Sequence, residues 1–546
     1  MSKKYVVTDE YTIPRAVKER IQLHPDQLAF VDTLGRITYG DVGNQVDRLA
    51  SGLLDLGIQP GEKVALVLPN CYTYPVAMYG IIRMGGVSVG LNPTLRPTEF
   101  KHIFRDSEAS AVIVSDNFHG VDPISIIREM REELPLLRQV IVIGDARENE
   151  ISYQNLVDSA MVRDDYHKAD PNDLAILVYT SGTTGLPKGS MHSHLTALRP
   201  AIRGSVLPTT LKELLHVIKH FGFGIFFRMI KVLLNPIKVY GSTPPYTAAG
   251  MIGGIGLFLG GYISYQLDRY IPAEVLKLVD EEKINVISFP PAVGALLLKN
   301  PDLPKYDLSS LIAITLGAAP VPPSLVDEFL DKIGVPVAIG YGASELLDTP
   351  SATIPWRDSK KALRETVGLF NSDYEGKVVN EDRETLPLGE VGELVVRGKV
   401  RMLGYYKAEE LTQDTFDEEG WYFTGDLATI DEDGYIRIVG RVKDLIIRGG
   451  QNIYPAEMED KLNTHPKVKQ SSVVGIPDAV AGEKVLAFII PEDDIKLTVL
   501  EIMEYCRDNM APYKVPGNIY FVDDFPLNAT GKVLKRVLRE EAIKSS

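Results

Sequence analysis

The chain has 546 residues, of which 45% are hydrophobic and 24% charged, and this composition is typical of a globular protein. At roughly 150 residues per domain, its length predicts three or four folding units. The formal net charge of -15 argues against general nucleic-acid binding, although a local basic pocket could still hold an anionic cofactor. Two cysteines, Cys71 and Cys506, are too few for a disulfide framework or a cysteine-based metal site, and they indicate a reducing compartment.

The N-terminal residues lead into charged sequence without an apolar segment, so we expect no secretory signal. The chain ends in Lys-Ser-Ser, which is not the peroxisomal tripeptide. These features predict a cytoplasmic protein. One segment farther along the chain could also contact a membrane surface from outside.

The first part of the chain alternates helical periodicity with short apolar runs. A helix is predicted at 41–56 because its apolar residues recur on one helical face. Such alternation is typical of a parallel α/β sheet. Buried strands are predicted from the apolar runs at 64–68, 87–91, 111–114, 139–143 and 174–179.

Residues 203–243 form an unusual segment, in which 211–234 is rich in leucine, isoleucine and phenylalanine. Four cations against one acid give 211–234 a net charge of +3 in an acidic chain. A cationic, apolar helix of this kind could rest on a membrane surface. The interpretation that we favour is a lid or buried helix that covers an apolar tunnel.

Residues 247–266 carry no charge and approach the roughly 20 residues of a membrane span. Six glycines interrupt this stretch, so we predict a core helix with a tight turn into a strand at 262–265. A helix at 271–281 follows, and strands at 285–289 and 312–316 flank a helix near 292–298. This alternation predicts a second α/β lobe.

From residue 385 onward, short strands with glycine-rich turns predict a small β-rich lobe. Alternating strands and helices return after residue 444 for about 100 residues, which is the size of a domain. We therefore predict an α/β protein with a large N-terminal domain, 1–440, made of two α/β lobes plus the small β-rich lobe. A hinge at 441–444 and a small mobile α+β C-terminal domain, 445–546, complete the prediction.

An eleven-residue stretch, Tyr-Thr-Ser-Gly-Thr-Thr-Gly-Leu-Pro-Lys-Gly, occupies 179–189 directly after a predicted strand. Glycines here let the backbone turn its N–H groups toward an anion, so the stretch predicts a phosphate loop. It differs from the Walker loop, in which the lysine directly follows a glycine. The alternative is a solvated turn. The candidate phosphate ligands are Thr180, Ser181, Gly182, Thr183, Thr184, Gly185 and Lys188.

A second motif, 340–345, follows a predicted strand at 335–339 and reads Gly-Tyr-Gly-Ala-Ser-Glu. Tyr341, between Gly340 and Gly342, offers a flat face on which a base can stack. Ser344 offers a hydroxyl, and Glu345 offers a hard oxygen ligand for Mg²⁺.

These motifs resemble those of the adenylate-forming enzymes, which include acyl-CoA synthetases, luciferases and peptide-synthetase adenylation domains. The stretch 179–189 is similar to the family pattern Y-T-S-G-T-T-G-x-P-K-G, and 341–345 is similar to Y-G-x-T-E, with Ser344 in place of threonine. By this resemblance Ser344 contacts the α-phosphate and Glu345 binds magnesium.

The resemblance also implies a nucleotide site built from other segments. Gly317, Ala318 and Ala319 match the G-G-A-P loop beside adenine and the acyl group, with Ala318 in place of the second glycine. Asp426, in Thr-Gly-Asp, matches the carboxylate that holds both ribose hydroxyls, and Arg441 matches the second ribose contact. Taken alone, Thr-Gly-Asp is more often a plain turn.

In the C-terminal region the resemblance implies three further roles. Lys443 matches the hinge residue, and Gly449 and Gly450 match the loop that serves the thioester step with CoA. Lys532, in the Pro-Leu-Asn-Ala-Thr-Gly-Lys stretch 526–532, matches the catalytic lysine. The alternative for Lys532 is an ordinary solvated lysine.

The residues of the acyl pocket match the family pattern less closely than the other motifs do. Residues 244–250 align with a family pattern P-L-x-H-x-x-G, and Thr247 stands where histidine is usual. His194 matches a different family position. The resemblance assigns the acyl pocket to His194, Tyr246, Thr247, Ala248 and Gly317.

The resemblance implies an ATP-dependent acyl-CoA synthetase that uses ATP, Mg²⁺ and coenzyme A. Segment 211–234 and the small residues at 248–249 favour a medium- or long-chain fatty acid, with an aryl or alicyclic acid as the alternative. The acyl group could also pass to a carrier-protein phosphopantetheine, or the adenylate could undergo a luciferase-like oxidation. A non-catalytic sensor is disfavoured by the presence of Lys532, Glu345 and Asp426. The sequence leaves the oligomeric state open.

Overall fold

A computed structural model of the protein describes residues 10–116, 120–180, 186–201, 208, 210–233, 235–478, 480–492, 495–527 and 533–545. Tertiary contacts divide the chain into two compact units. Unit 1 comprises 1–374 and 398–414, and unit 2 comprises 375–397 and 415–546. The predicted β-rich lobe thus groups by contact mainly with the C-terminal residues, whereas the sequence pattern places it in the N-terminal domain. The hinge at 441–444 stays a prediction.

Residues 10–201 alternate helices and strands, as predicted. The helices are α1 (Ile13–Leu23), α2 (Tyr39–Asp55), α3 (Thr73–Arg83), α4 (Pro97–Ser107), α5 (Pro123–Met130), α6 (Tyr153–Ser159) and α7 (His194–Ala201). The strands are β1 (Leu28–Asp32), β2 (Gly35–Thr38), β3 (Lys63–Val67), β4 (Val87–Gly90), β5 (Ala111–Ser115), β6 (Gln139–Ile143), β7 (Ile151–Ser152), β8 (Leu174–Thr180) and β9 (Lys188–Ser193).

The next region, 211–370, forms the second predicted lobe. Its helices are α8 (Leu211–Leu233), α9 (Ala248–Gly260), α10 (Pro272–Glu282), α11 (Pro291–Leu298), α12 (Pro323–Lys332) and α13 (Lys360–Glu365). Its strands are β10 (Lys238–Gly241), β11 (Ile263–Tyr265), β12 (Val286–Phe289), β13 (Ala313–Gly317), β14 (Val337–Ala343), β15 (Asp348–Ala352) and β16 (Leu369–Phe370).

Strands predominate after residue 370. They are β17 (Tyr374–Val379), β18 (Gly392–Gly398), β19 (Gly404–Tyr405), β20 (Tyr422–Ile430), β21 (Ile436–Arg441), β22 (Ile446–Arg448), β23 (Gln451–Ile453), β24 (Val468–Asp478), β25 (Gly482–Pro491) and β26 (Asn518–Phe521). The helices are α14 (Glu409–Thr415), α15 (Pro455–Asn463), α16 (Val499–Asn509) and α17 (Lys535–Ser545).

Unit 1 contains two mixed sheets. The first has the order β19-β9-β8-β4-β3-β5-β6-β7 and is parallel from β8 to β7. The second has the order β16-β15-β14-β13-β12-β10-β11-β1-β2 and is parallel from β14 to β1. In such sheets, ligands bind beyond the carboxyl ends of the strands, where β8, β13 and β14 lead into the predicted motifs.

Helix α9 confirms the prediction of a core helix that turns into a strand. Its buried side chains Met251, Ile255 and Phe258 belong to the core of the first lobe. Gly261 adopts φ +78°, a left-handed conformation that ends the helix before β11. Throughout the described residues, every helix is too short or too polar to cross a membrane.

Unit 2 contains two further sheets. One is the small sheet β17-β18-β20-β21, and the other is β23-β22-β25-β24 with β26 parallel to β25. Helices α15 and α16 bury Met458, Leu462 and Ile502 against the second sheet, and α17 contributes Leu538 to a separate cluster on β24 and β25. The mixed α/β fold, with a large N-terminal part and a small C-terminal part, is as predicted.

Candidate active site

The predicted phosphate loop joins β8 to β9. These strands are antiparallel, and Thr180 lies opposite Lys188 where the hairpin closes. Lys188 is half-buried at the first position of β9. Outside the described residues lie Ser181, Gly182, Thr183, Thr184 and Gly185, so their phosphate-binding role stays a prediction.

The base of this hairpin is fixed to helix α4. The Tyr179 hydroxyl donates to Asp106 Oδ2 at 2.6 Å, and burial together with this bond raises the pKa of the phenol. A Cβ atom on Gly189 would approach the Tyr179 ring to 3.0 Å, so the ring leaves little room for a side chain at 189. His102 Nε2 lies 2.8 Å from the Pro187 carbonyl oxygen. The loop is therefore held at both ends.

The loop that resembles G-G-A-P begins where β13 ends. Gly317 pairs with Gly340 on β14, and a Cβ atom on Gly317 would lie 3.1 Å from the Gly340 carbonyl oxygen. Ala318 has φ +65°, which falls in the left-handed region that glycine prefers. Ala318 and Ala319 are exposed, so the loop presents its backbone at the surface.

The motif 340–345 is a strand for most of its length, although the predicted strand ends at Ile339. Strand β14 continues through Ala343, and Tyr341 pairs with Ser351 on β15. The strand extends because β15 supplies a partner for these residues. A Cβ atom on Gly342 would lie 2.2 Å from the Asp348 carbonyl oxygen, so the close backbone approach requires glycine.

The turn after β14 carries Ser344 and Glu345. Glu345 Oε1 accepts the Tyr405 hydroxyl at 2.6 Å, and the Glu345 carbonyl accepts the Met402 N–H at 2.7 Å. Strand β19 places Tyr405 opposite Ser190 on β9. The carboxylate predicted to bind magnesium is thus tied to the strand that begins at Lys188. Sequence reasoning missed Tyr405, because no motif marked it.

His192 on β9 is a second residue that sequence reasoning missed. Its ring is fully buried, and Nε2 lies 3.1 Å from Ser190 Oγ. Burial lowers the pKa of His192 to about 3, although the adjacent Ser344 backbone favours the proton. The ring is therefore neutral at physiological pH and packs between β9 and the Ser344 turn. A histidine among the otherwise uncharged residues 189–193 was the available signal.

Four of the predicted acyl-pocket residues lie at the N-termini of α7 and α9, and the fifth, Gly317, ends β13. The Thr247 hydroxyl donates to the Pro244 carbonyl at 2.7 Å and accepts the Gly250 N–H at 3.1 Å, so Thr247 caps α9. Ala248 is the first residue of this helix. Burial raises the pKa of Tyr246 to about 12.

His194 starts helix α7 and is buried. The Ile13 N–H donates to its Nδ1 at 3.4 Å. Burial lowers the pKa of His194 to about 4, so the imidazole is neutral at physiological pH. A neutral ring can sit beside a carboxylate as a hydrogen-bond partner but supplies no positive charge.

In unit 2, the Thr-Gly-Asp segment has a defined geometry. Gly425 has φ +68° and donates its N–H to Glu393 Oε1 at 2.9 Å. The Thr424 hydroxyl donates to the Leu394 carbonyl at 2.7 Å and accepts the Asp426 N–H at 3.0 Å. Burial raises the pKa of Glu393, which sequence reasoning missed. An acid within the apolar run 392–396 was its signal.

Asp426 and Arg441 come together across strands β20 and β21. Arg441 Nε donates to Asp426 Oδ1 at 2.6 Å, and the two residues are register partners. Arg441 thereby orients the carboxylate. The pair is mainly a surface feature, since the Arg441 side chain is 46% exposed.

The predicted hinge lies in a short 3₁₀ turn at 442–444. Arg539 Nη2 donates to the Lys443 carbonyl at 3.3 Å and lies 3.5 Å from Asp444 Oδ1. Partial burial and the nearby Arg441 lower the pKa of Lys443.

The glycines predicted to serve the CoA step lie at the tip of the β22–β23 hairpin. Gly449 and Gly450 have φ +59° and +76°, as a two-residue turn of this kind requires. Lys532 lies outside the described residues. The ends of its loop are joined by a bridge between Leu527 and Val533.

Two family models match the chain. The AMP-binding enzyme model covers residues 17–406, and the AMP-binding enzyme C-terminal domain model covers 457–532. The matched ranges therefore include the candidate residues from Thr180 to Glu345 and, at the end of the second range, Lys532.

Similar proteins match over nearly the whole chain. The mitochondrial medium-chain acyl-CoA ligase ACSF2 of Danio rerio is 31% identical over 561 residues, covering 98% of this chain and 88% of that protein. The putative acyl-CoA synthetase YngI of Bacillus subtilis (strain 168) is 31% identical over 559 residues, covering 98% and 97%. The crystal structure of the anthranilate CoA ligase AuaEII with anthranoyl-AMP has a TM-score of 0.85 at 26% identity, covering 98% of both chains. The chain therefore belongs to the AMP-binding enzyme family, as an AMP-forming enzyme of its acyl-CoA ligase branch.

Proposed function

We propose that this enzyme activates a medium- or long-chain fatty acid with ATP, forms an acyl-AMP intermediate and transfers the acyl group to CoA, releasing AMP and pyrophosphate. The observation that carries the proposal is that a relative matched over 98% of this chain is named a medium-chain acyl-CoA ligase. The small residues Ala248 and Ala249 at the start of α9 are compatible with a slender aliphatic acyl group. Fatty-acid metabolism in the cytoplasm would be the corresponding role.

In the first step, a carboxylate oxygen of the acid attacks the α-phosphorus of ATP. The bond from that phosphorus to the β-phosphate oxygen breaks, and pyrophosphate leaves. Both reactants are anions, so positioning and charge neutralisation must provide most of the rate enhancement. We assign this role to Lys532, Lys188, Ser344 and the 180–185 loop, and we assign the ribose to Asp426 and Arg441.

Magnesium would be held by Glu345 together with ATP phosphates. The Tyr405 hydroxyl orients this half-buried carboxylate through Oε1, and no other described residue hydrogen-bonds the carboxylate. Within the described ranges, no three His, Cys, Asp or Glu side chains gather as a metal site. Mg²⁺ commonly binds one or two carboxylates plus substrate phosphates, which is the arrangement proposed.

In the second step, the CoA sulfur attacks the acyl carbonyl carbon, and AMP leaves. The thiol must lose its proton, because the thiolate is the nucleophile. We propose that a rearrangement about Lys443 brings Gly449 and Gly450 into use for this step. Their tip geometry and the open space around them suit contact with the thin pantetheine arm.

One alternative substrate is an aryl acid, because the similar structure AuaEII is named an anthranilate CoA ligase. The alternative acceptor is a carrier-protein phosphopantetheine. Peripheral membrane contact through 211–234 also belongs to the proposal, since a fatty acid partitions into lipid.

Pyrophosphate release tests the proposal. The purified protein is incubated with ATP, Mg²⁺ and straight-chain acids of increasing length, with aryl acids as the matched set, with and without CoA. We expect release that depends on the acid, is greatest with a medium or long chain, and turns over repeatedly only with CoA. A preference for aryl acids would contradict the fatty-acid assignment. Single-turnover release that CoA does not stimulate would move the acceptor to a carrier protein.

A further inference from the structure

Helix α8 carries a row of exposed residues spaced four apart along its whole length. Its four apolar members are all more than half exposed: Leu211 at 73%, Leu215 at 57%, Phe223 at 62% and Phe227 at 58%. The outward row consists of Leu211, Leu215, Lys219, Phe223, Phe227 and Lys231, and each is exposed. At 1.5 Å per residue, each half of the row, 211–219 and 223–231, extends for about 12 Å.

The opposite side of α8 is also apolar, and it is buried. Val217, Ile225 and Met229 lie in the core of the second lobe and are at most 3% exposed. Arg228 turns inward as well, because its Nη1 donates to the Leu311 carbonyl at 3.2 Å. The core therefore accounts for one face of the helix only. An ordinary surface helix would present mainly polar residues outward, whereas four of the six residues in the outward row of α8 are apolar.

A break at Gly222 divides the outward row into two halves. Residues four apart turn by about 40° relative to one another in an ideal helix, so a long row would wind around it. Gly222 adopts φ 80° and ψ 173°, which interrupts α8 between Lys219 and Phe223. Each half carries only three members of the row, and this limits the winding. Both halves can thus expose their row.

The charge of this face is positive. Lys212, Lys219 and Lys231 are exposed on α8. The acid Glu213 accepts the Thr210 N–H at 2.8 Å and so caps the helix N-terminus. These lysines stand out in a chain whose formal net charge is -15. A flat, anionic and apolar partner would complement both the lysines and the exposed phenylalanines.

We propose that the outward row of α8 binds the surface of an anionic lipid membrane, with the helix lying in the interface and its lysines at the headgroups. Exposed phenylalanine and leucine provide the apolar contact of such interfacial helices, and lysines provide attraction to anionic lipid. The inference rests on the peripheral membrane contact of the proposed function and names its residues and lipid class, and it does not depend on which acid the enzyme activates. The other class of partner, a second copy of this chain, is an outcome of the test.

Vesicle flotation of the full-length protein tests this surface. We expect more protein on vesicles that contain about 30% phosphatidylserine than on phosphatidylcholine alone, and less as salt is raised. Phe223→Gln/Phe227→Gln should weaken binding on the order of tenfold per phenylalanine. Lys212→Gln/Lys219→Gln/Lys231→Gln should weaken it about fivefold per lysine.

Leu136→Gln provides the matched control, because Leu136 is 54% exposed and lies elsewhere in unit 1. It should bind vesicles as the wild type does. Failure of the wild type to float with anionic vesicles would overturn the proposal, as would equal binding by the phenylalanine variant. Self-association without flotation, abolished in that variant, would also overturn it in favour of a second copy. Pyrophosphate release with a water-soluble acid should be unchanged in every variant. Loss of this release in a variant would show a defect in the reaction and not in membrane binding.

Discussion

The backbone conformation at Ala318 is one that favours glycine over alanine. Its φ of +65° lies in the left-handed region, which costs an L-residue other than glycine about 1–2 kcal/mol. The neighbouring Ala319 is equally exposed but has no positive φ. The family pattern has glycine at 318, so the left-handed backbone remains although the glycine is absent.

Replacing Ala318 with glycine should therefore stabilise the fold. Relief of the left-handed strain stabilises the fold by more than the larger entropy loss of glycine on folding destabilises it. We therefore expect the free energy of unfolding to rise by up to about 1 kcal/mol. Ala319→Gly should have the opposite sign, because it brings only the entropy cost. Urea unfolding of both variants measures the difference. Equal destabilisation by the two substitutions would mean that residue 318 is not strained.

Individual site residues differ in how well the sequence predicted them. Asp426 and Arg441 contact each other on adjacent strands of one hairpin, and their shared ribose role stays a prediction. The bond between Tyr405 and Glu345 was not predicted. It joins the turn after β14 to strand β19 of the other sheet in unit 1, and no local pattern encodes such a pairing.

Among the elements, the hairpin β22–β23 is the one that we propose to serve the second chemical step alone. Gly449→Ala introduces strain at φ +59°, although the new methyl group meets no atom within 4 Å. We expect CoA-dependent turnover to fall on the order of tenfold, because small displacements of a positioning loop are costly. Acyl-AMP formation, measured with hydroxylamine as the trap, should stay near the wild-type rate.

Gly389→Ala is the control for that experiment. Gly389 has φ +85°, and a methyl group at this position would meet no atom within 4 Å. The residue belongs to unit 2 but to no predicted site. This variant carries the same kind of strain, so thioester formation should be unaffected. An equal loss in both variants would attribute the effect to stability and remove Gly449 from the CoA step.

Elements that bury a continuous apolar run were predicted best. Strand β6 has the predicted bounds, and β5 and β12 differ from them by one residue. Strand β14 was predicted to end at Ile339 but continues to Ala343, since its partner β15 comes from a segment with no apolar run. For α8, composition indicated either a buried helix or an exposed apolar one, and the structure has one face buried in the second lobe and apolar side chains exposed on the opposite face.

At the scale of the whole molecule, the sequence predicted the fold class but not every grouping. The hairpin β1–β2 joins the second sheet, where Phe30 on β1 pairs with Ser264 on β11. The small sheet β17-β18-β20-β21 groups mainly with the C-terminal residues. Both groupings rest on contacts between distant parts of the chain, and hydrophobic periodicity carries no information about such contacts.

Lys532 and Gly449 are assigned to different chemical steps, so we predict that substitutions in their two loops impair opposite steps. Lys532 is assigned to the first step alone, and removing one stabilising charge there typically costs on the order of 10²–10³ in rate. Lys532→Ala should therefore release pyrophosphate far more slowly. Supplied with preformed acyl-AMP and CoA, the same variant should form the thioester at nearly the wild-type rate, because the charge is no longer needed. Gly449→Ala should show the reverse pattern. Loss of both steps in Lys532→Ala would contradict separate loops for the two steps, since one loop would then serve both.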